Sequence, residues 1–153
     1  MDMNGRSRTT RVMVEYPEHL VGFPGDLLDF IYEDGFVEEW VSNGLSVERD
    51  LWMLEASICL RPDHGKVIKG TGGLRKLRWG LGNTGKSGGL RVIYLWIPEV
   101  FIVYMFMAYP KSVQDDISAV VRKALKEQAE GIRQRLISAY KEIGDEGKEN
   151  NPV

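Results

Sequence analysis

Cysteine and long apolar runs are scarce in this sequence, and each scarcity excludes a class of protein. Cys59 is the one cysteine of the 153 residues, so neither an intrachain disulfide nor a cysteine zinc site can form. No uncharged apolar run reaches the roughly 18 residues of a transmembrane helix, and the polar first 15 residues lack the apolar stretch of a secretory signal. We therefore expect a cytoplasmic protein that does not contact a membrane.

The length and composition favour a single domain. With 43% apolar residues, the chain can bury one core but is short for two. Residues 1–25 contain two prolines and no sustained periodicity, which predicts an arm of uncertain order. We expect the domain to occupy residues 26–143 and the charged residues 144–153 to form a flexible tail.

The net charge of −2 conceals a segregation of charge along the chain. Between Asp26 and Leu60 there are nine acidic residues and one basic residue, whereas between Arg61 and Arg91 there are eight basic residues and one acidic residue. A stretch of one sign repels itself in a folded protein, and a polyanion such as nucleic acid relieves that repulsion. The alternative is that the acidic block neutralises the basic block internally.

Apolar periodicity predicts helices on both sides of a run of strands. A strand is expected over 27–32 and a short helix over 36–41, and Ser46 is the expected N-cap of a helix that Pro62 ends. Period-two patterns then predict strands over 66–68, 74–79, 90–96 and 100–108, with a tight turn at Pro98-Glu99. These strands should pair as an antiparallel sheet. Ser112 predicts the start of a last helix, whose apolar stripe continues towards Ile143.

Residues 80–87 read GLGNTGKS, which matches the pattern of a phosphate-binding loop. That loop requires a helix directly after it, because the helix N-terminus supplies the amides and the dipole that hold the phosphates. Here the residues that follow are glycine-rich and then strand-like up to Tyr94. We therefore interpret the motif as part of a glycine-rich hairpin, and nucleotide binding stays as an alternative.

Basic residues recur at strand spacing on both sides of this loop. Lys76 and Arg78 are two residues apart in a predicted strand, so their side chains share one face. Arg91 begins the next strand and Lys86 lies in the connecting loop, so both can converge on that face. The alternative is a solvated basic face without a ligand.

Two glycine-rich segments resemble the signature of RelE/HigB toxins of type II toxin–antitoxin systems. They are GTGGLRKLRW at 70–79 and GKSGGLRVIY at 85–94, and the similarity extends from about Leu27 to the helix after Lys111. The resemblance implies an α+β fold, in which a small antiparallel or mixed sheet has N-terminal helices packed on one side and a C-terminal helix. It also implies an endoribonuclease that cuts mRNA on the ribosome and is silenced by a cognate helix-turn-helix (HigA-like) antitoxin.

The resemblance assigns the chemistry to lysines and arginines, with no metal or cofactor. The catalytic residues it implies are Lys76, Arg78 and Arg91, and the RNA-binding residues are Arg75, Lys86, Tyr94, Tyr109 and Lys111. RNA cleavage by its own 2′-hydroxyl requires a base, stabilisation of charge on the phosphate, and an acid for the leaving 5′-oxygen. A nearby cation disfavours the protonated form of a lysine, so Lys76 is the candidate base and Lys86 the alternative.

Several of these assignments have alternatives that the sequence leaves open. Tyr94 and Tyr109 can stack on an RNA base or donate a proton, or they can be ordinary core tyrosines. His64 is either a turn residue or a neighbour of the site, and Lys111 is either a ligand of RNA or a plain cation near a helix start. The alternative function is a non-catalytic RNA-binding or regulatory module that uses the same basic face.

Overall fold

A mixed sheet with helices on both faces organises the protein. The computed structural model describes residues 9–10, 28–80, 89–111 and 118–149. The strands are β1 (Thr9–Thr10), β2 (Asp29–Glu33), β3 (Lys66–Val67), β4 (Arg75–Trp79), β5 (Leu90–Ile97) and β6 (Ile102–Pro110), in the spatial order β1-β2-β6-β5-β4-β3. The α-helices are α1 (Phe36–Ser42), α2 (Trp52–Leu60) and α3 (Ala119–Glu149). The pair β2–β6 is parallel and the other pairs are antiparallel, which confirms the α+β class and the mixed sheet.

Each face of the sheet buries its own apolar cluster. On one face, sheet residues such as Val92 and Met105 pack with Trp40 of α1 and Leu54 of α2. On the other face, Ile93, Leu95 and Tyr104 share a cluster with residues of α3, namely Leu125, Ala129 and Ile132. The expected arrangement, with the N-terminal helices on one side of the sheet, is therefore confirmed, and α3 covers the opposite side.

Strands β5 and β6 form the centre of the core. Because α1 and α2 cover one face and α3 the other, apolar side chains are buried at consecutive positions instead of alternate ones. Every residue from Leu90 to Leu95 and from Ile102 to Phe106 is buried. The prediction of a central strand that is covered on both sides is confirmed for β6.

The helix that precedes the basic stretch begins as predicted. The Ser46 hydroxyl accepts hydrogen bonds from the backbone N–H groups of Arg49 and Asp50 at 3.3 and 3.2 Å, so it caps the first turn. That turn, Val47–Leu51, is π-helical and leads directly into α2. Pro62 follows the end of α2 by two residues, in agreement with the predicted end.

The boundaries at the chain reversal and in the last helix differ from the prediction. Pro98–Val100 form a 3-10 turn, and Phe101 adopts a left-handed conformation before β6 begins. In α3, the Ser118 hydroxyl accepts from the Val121 N–H at 3.3 Å, and the helix continues through Glu149. The predicted helix end near Ile143 is therefore wrong, and residues 144–149 are helical.

Some predicted features lie outside the described residues. They are Ser112, residues 150–153 and all of residues 1–25 except Thr9–Thr10.

None of the helices in the described part of the chain combines the length and the apolar character needed to cross a membrane.

The base of the β4–β5 hairpin requires glycine at position 89. A Cβ there would lie 2.5 Å from the backbone oxygen of Trp79. Backbone cannot rotate away as a side chain can, so we expect Gly89→Ala to lower the free energy of unfolding by about 1–3 kcal/mol. Gly80→Ala is the matched control, since a Cβ at Gly80 meets no atom within 4 Å. Urea unfolding of both variants measures the effect, and equal midpoints would contradict it.

Candidate functional site

A cavity at one end of the sheet collects basic side chains from separate segments of the chain. Its volume is about 680 Å³. It is lined by His64, Lys66, Lys76, Leu77, Arg78, Arg91 and Lys111, and we call it the basic pocket. Five of these residues are lysines or arginines, and none is acidic. The acidic block between Asp26 and Leu60 contributes no residue to this lining.

Strand register places these cations side by side. Lys66 of β3 pairs with Lys76 of β4. Arg78 of β4 pairs with Arg91 of β5. Leu90, the first residue of β5, pairs with Pro110, which places Lys111 directly beyond the start of β5. Cross-strand partners project from the same face of a sheet. The structure therefore brings together the three residues predicted as catalytic, Lys76, Arg78 and Arg91, and adds Lys111 as expected.

Arg91 is the buried member of the basic pocket. Its side chain is 4% exposed, and its Nη1 atom has no hydrogen-bond partner among the described residues. Buried polar groups are normally hydrogen-bonded, and leaving one unsatisfied costs about 1–3 kcal/mol. A guanidinium in this state is suited to an anionic acceptor such as a phosphate oxygen.

Tyr94 lies in the core and not in the basic pocket. Its side chain is fully buried, its hydroxyl donates to the Pro62 carbonyl at 2.9 Å, and the same oxygen accepts from the Gly65 N–H at 2.8 Å. No ring face is available to an RNA base. This placement contradicts the prediction that Tyr94 binds RNA and supports the alternative of a core tyrosine.

Arg75 also has a different role from the predicted one. It pairs with Tyr94 and so lies on the face of β4 opposite to Lys76. Its Nη1 atom donates to the carbonyls of Asp63 and Gly65 at 3.1 and 2.8 Å. Arg75 therefore binds backbone and does not line the basic pocket, so its contacts give it a structural role and do not support its assignment as an RNA ligand.

Two further predicted RNA-binding residues do not line the described pocket. Tyr109 is 8% exposed and belongs to the apolar cluster under α3, although it is the cross-strand neighbour of Arg91. Its burial contradicts a stacking contact with RNA. Lys86 lies outside the described residues.

Sequence reasoning did not assign Lys66 to the site, and it left His64 as either a turn residue or a neighbour of the site. Lys66 was counted in the basic stretch, but its strand has two residues, too few to show a period. His64 precedes it in the turn that connects α2 to β3, and its exposed side chain lines the pocket. The signal that locates both residues is the antiparallel pairing of β3 with β4, which depends on contacts between distant parts of the chain.

The glycine run at 70–73 shapes the β3–β4 connection. Gly72 and Gly73 have φ angles of 72° and 102°, in the left-handed region where glycine is favoured. The Gly72 carbonyl accepts from Arg133 of α3 at 3.0 Å, and the buried Thr71 hydroxyl donates to the Ile68 carbonyl at 2.6 Å. These glycines therefore form a turn that contacts α3, so their place in the sequence has a structural reason.

The nucleotide-binding alternative is not supported by the elements that flank residues 80–87. Residues 81–88 lie outside the described residues, but β5 begins at Leu90, directly after Gly89. A strand follows the motif where a phosphate-binding loop requires a helix. The interpretation of this segment as a hairpin connection is confirmed for the two strands that it joins.

Cys59 is not among the residues that line the basic pocket, and its thiol should be inert. Burial, and then the nearby Glu55, raise the pKa of Cys59 from 9.0 to about 12. The thiolate is the reactive form, so at pH 8 we expect alkylation by iodoacetamide to be roughly 1000-fold slower than in the unfolded chain. The rate should increase as the pH rises towards 12. Rapid labelling of the folded protein at pH 8, with the urea-unfolded chain as reference, would contradict this.

No model of a known protein family matches the sequence. Among the described residues, no three histidine, cysteine, aspartate or glutamate side chains gather as a group that could hold a metal ion.

Proposed function

We propose that the protein is an endoribonuclease that inhibits translation by cutting mRNA on the ribosome, as the toxin of a type II toxin–antitoxin system. The observation that carries this proposal is the basic pocket, in which four other cations and no acidic residue line the cavity with the buried Arg91, whose Nη1 atom has no hydrogen-bond partner among the described residues. RNA supplies the phosphates that such a pocket attracts. The cleavage reaction and the ribosome-bound substrate are proposed from the resemblance of residues 70–79 and 85–94 to RelE/HigB toxins.

The pocket residues provide the groups that RNA cleavage needs. Lys76 takes the proton of the 2′-hydroxyl, and the resulting oxygen attacks the adjacent phosphorus. Arg78 and Arg91 hold the non-bridging oxygens, whose negative charge increases in the transition state. His64 then donates a proton to the 5′-oxygen as the P–O5′ bond breaks, which leaves a 2′,3′-cyclic phosphate and a 5′-hydroxyl. One proton is removed and one is supplied, and all of the groups are side chains of this chain.

The dimensions of the pocket favour an unpaired strand. Its volume of about 680 Å³ is that of a small-ligand site and is too small for an RNA duplex. Single-stranded RNA can place one backbone phosphate in such a cavity while the bases point outward. A message held on the ribosome is a substrate of this kind.

A cognate antitoxin is part of the same proposal, because an enzyme that destroys mRNA in the cytoplasm must be inhibited until it is needed. On the basis of the RelE/HigB resemblance, we propose that this antitoxin is a helix-turn-helix, HigA-like protein. The acidic stretch from Asp26 to Glu55 and the amphipathic α3 are the two candidate contact surfaces.

Expression of the chain without an antitoxin tests the function. We expect growth arrest and new mRNA 3′ ends within codons, and we expect Lys76→Ala or Arg78→Ala to restore growth. Lys69→Ala is the control that should stay toxic, because Lys69 is exposed and does not line the basic pocket. A soluble wild-type chain that binds RNA but produces no new 3′ ends would support the non-catalytic RNA-binding module instead.

A further inference from the structure

The turn after α2 carries His64 to the rim of the basic pocket. The chain leaves α2 at Leu60, turns through Pro62–Gly65 and enters β3, the edge strand next to β4. The His64 side chain is exposed, and its backbone N–H donates to the Arg61 carbonyl at 2.9 Å. Because little side-chain packing surrounds His64, the backbone of the turn sets the position of its Cα atom and the direction in which its side chain leaves the chain.

Two side chains from the sheet hold both ends of this turn. At its start, the Tyr94 hydroxyl donates to the Pro62 carbonyl at 2.9 Å, and Arg75 donates to the Asp63 carbonyl at 3.1 Å. At its end, the Tyr94 hydroxyl accepts from the Gly65 N–H, and Arg75 donates to the Gly65 carbonyl, both at 2.8 Å. The backbone on either side of His64 is therefore fixed by side-chain contacts.

The fit between the turn and these two side chains is close. A Cβ at Gly65 would lie 2.9 Å from the Tyr94 ring and 3.1 Å from the Arg75 Cβ. Arg75 and Tyr94 are register partners on β4 and β5, and Arg75 directly precedes Lys76. The turn is thus tied to the two strands that carry the cations of the basic pocket.

We propose that Arg75 and Tyr94 are positioning residues, which act together as a clamp on the Pro62–Gly65 turn and hold the His64 imidazole against RNA in the basic pocket. This inference rests on the proposed function, in which His64 donates a proton to the leaving oxygen. Burial raises the pKa of Tyr94, so its hydroxyl keeps the proton that it donates to Pro62 in alkaline solution as well. The clamp gives Arg75 and Tyr94 a role in catalysis although neither contacts the substrate.

NMR of the histidine rings tests the clamp independently of cleavage. The chain contains two histidines, His19 and His64, so the spectrum of His64→Gln assigns the ring signals. The probe is a single-stranded RNA with 2′-O-methyl groups, which cannot be cleaved. We expect it to shift the His64 signals in the wild-type protein. In Tyr94→Phe the RNA should bind with the same affinity, but the shift of the His64 signals should be lost.

The kinetic expectation for Tyr94→Phe is a lower kcat with an unchanged KM, because the basic pocket stays intact. A misplaced catalytic group costs about 10- to 100-fold in rate. Tyr104→Phe is the matched control, since it removes the buried hydroxyl that donates to Glu33, away from the basic pocket. It should change neither the His64 signals nor kcat. If Tyr94→Phe folds poorly, Arg75→Gln is the second test. The glutamine side chain is too short to reach both carbonyls, so we expect the same loss of the His64 shift and the same fall in kcat.

A folded Tyr94→Phe or Arg75→Gln protein whose His64 signals respond to RNA as in the wild type would overturn the clamp. If the wild-type protein binds RNA without cutting it, the proposed function fails, and the His64 signals still decide whether the clamp positions the ring.

Discussion

Replacement of Arg91 by methionine should slow RNA cleavage strongly and also raise the melting temperature of the protein. Arg91 is 4% exposed, its Nη1 atom has no partner among the described residues, and its register partner is a second cation, Arg78. The folded protein therefore bears the cost of an unsatisfied donor and of repulsion between like charges. Methionine replaces the aliphatic stem of arginine, has no charge, and has a flexible chain that fills irregular space.

The expected gain follows from the cost of the unpaired donor. We expect the free energy of unfolding to increase by about 1–3 kcal/mol, which corresponds to a rise in Tm of roughly 3–10 °C for a chain of this size. Circular dichroism during heating measures it. Cleavage should fall by about 10²–10³-fold, the usual loss when one donor to the transition-state charge is removed. Single-turnover cleavage of an RNA oligonucleotide measures that loss.

Arg78→Met is the control that separates the two effects. Arg78 lies on the same face of the sheet as Arg91, but its side chain is exposed and already solvated. Its loss should lower the cleavage rate without raising Tm. If Arg91→Met melts below the wild-type protein, the guanidinium is satisfied in the free protein and its burial is structural. A gain in stability combined with a loss of activity is typical of a site that is built for a ligand.

Much of the fold could be predicted because its elements follow local rules. Ser46 and Pro62 bracket the helix before the basic stretch, and the apolar pattern of β6 indicates a strand covered on both faces. The shared face of Lys76 and Arg78 follows from the strict alternation of side chains along a strand. Each of these features depends on residues that are close in sequence.

The contacts that each face of β4 makes with the rest of the chain could not be predicted in the same way. Alternation shows that Arg75 and Lys76 point to opposite sides of β4, but it does not show which side is open to a ligand. Which side is open depends on the turn at Pro62–Gly65. Gly65 donates a hydrogen bond to Tyr94, which lies 29 residues later in the sequence. Arg75 and Tyr94 therefore resembled RNA ligands in the sequence, although the structure shows that both bind the backbone of this turn.

The last helix shows the same limit at its ends. Ser112 and Ser118 are both suitable N-caps, and the sequence does not choose between them. At the other end, the apolar stripe towards Ile143 and the charged residues after it indicated an end near Ile143, whereas the helix continues through Gly144 to Glu149. Glycine in a helix costs about 1 kcal/mol, which neighbouring residues of high helix propensity can offset. Boundaries of this kind are decided by small differences in free energy that no local pattern displays.

Replacement of Lys76 by alanine should separate RNA cleavage from RNA binding. Lys76 is one of five cations in the basic pocket, so its removal should weaken binding only modestly. If it contacts one phosphate, the slope of log K against log salt concentration should decrease by about 0.7 for a single strand. As the proposed base, however, Lys76 should be essential for the chemical step, and cleavage should fall by roughly 10²–10⁴-fold. Filter binding of 2′-O-methyl RNA across a salt series and single-turnover cleavage measure the two effects.

Lys66→Ala is the matched control, because Lys66 is the cross-strand partner of Lys76 and carries the same charge into the same pocket. It should produce a similar change in the salt slope but a much smaller loss of rate. Equal losses of rate in the two variants would show that Lys76 acts only through its charge, and the base would then have to be another residue. A much larger loss of rate in Lys76→Ala than in Lys66→Ala, with similar changes in the salt slope, is the result expected if Lys76 accepts the 2′-hydroxyl proton.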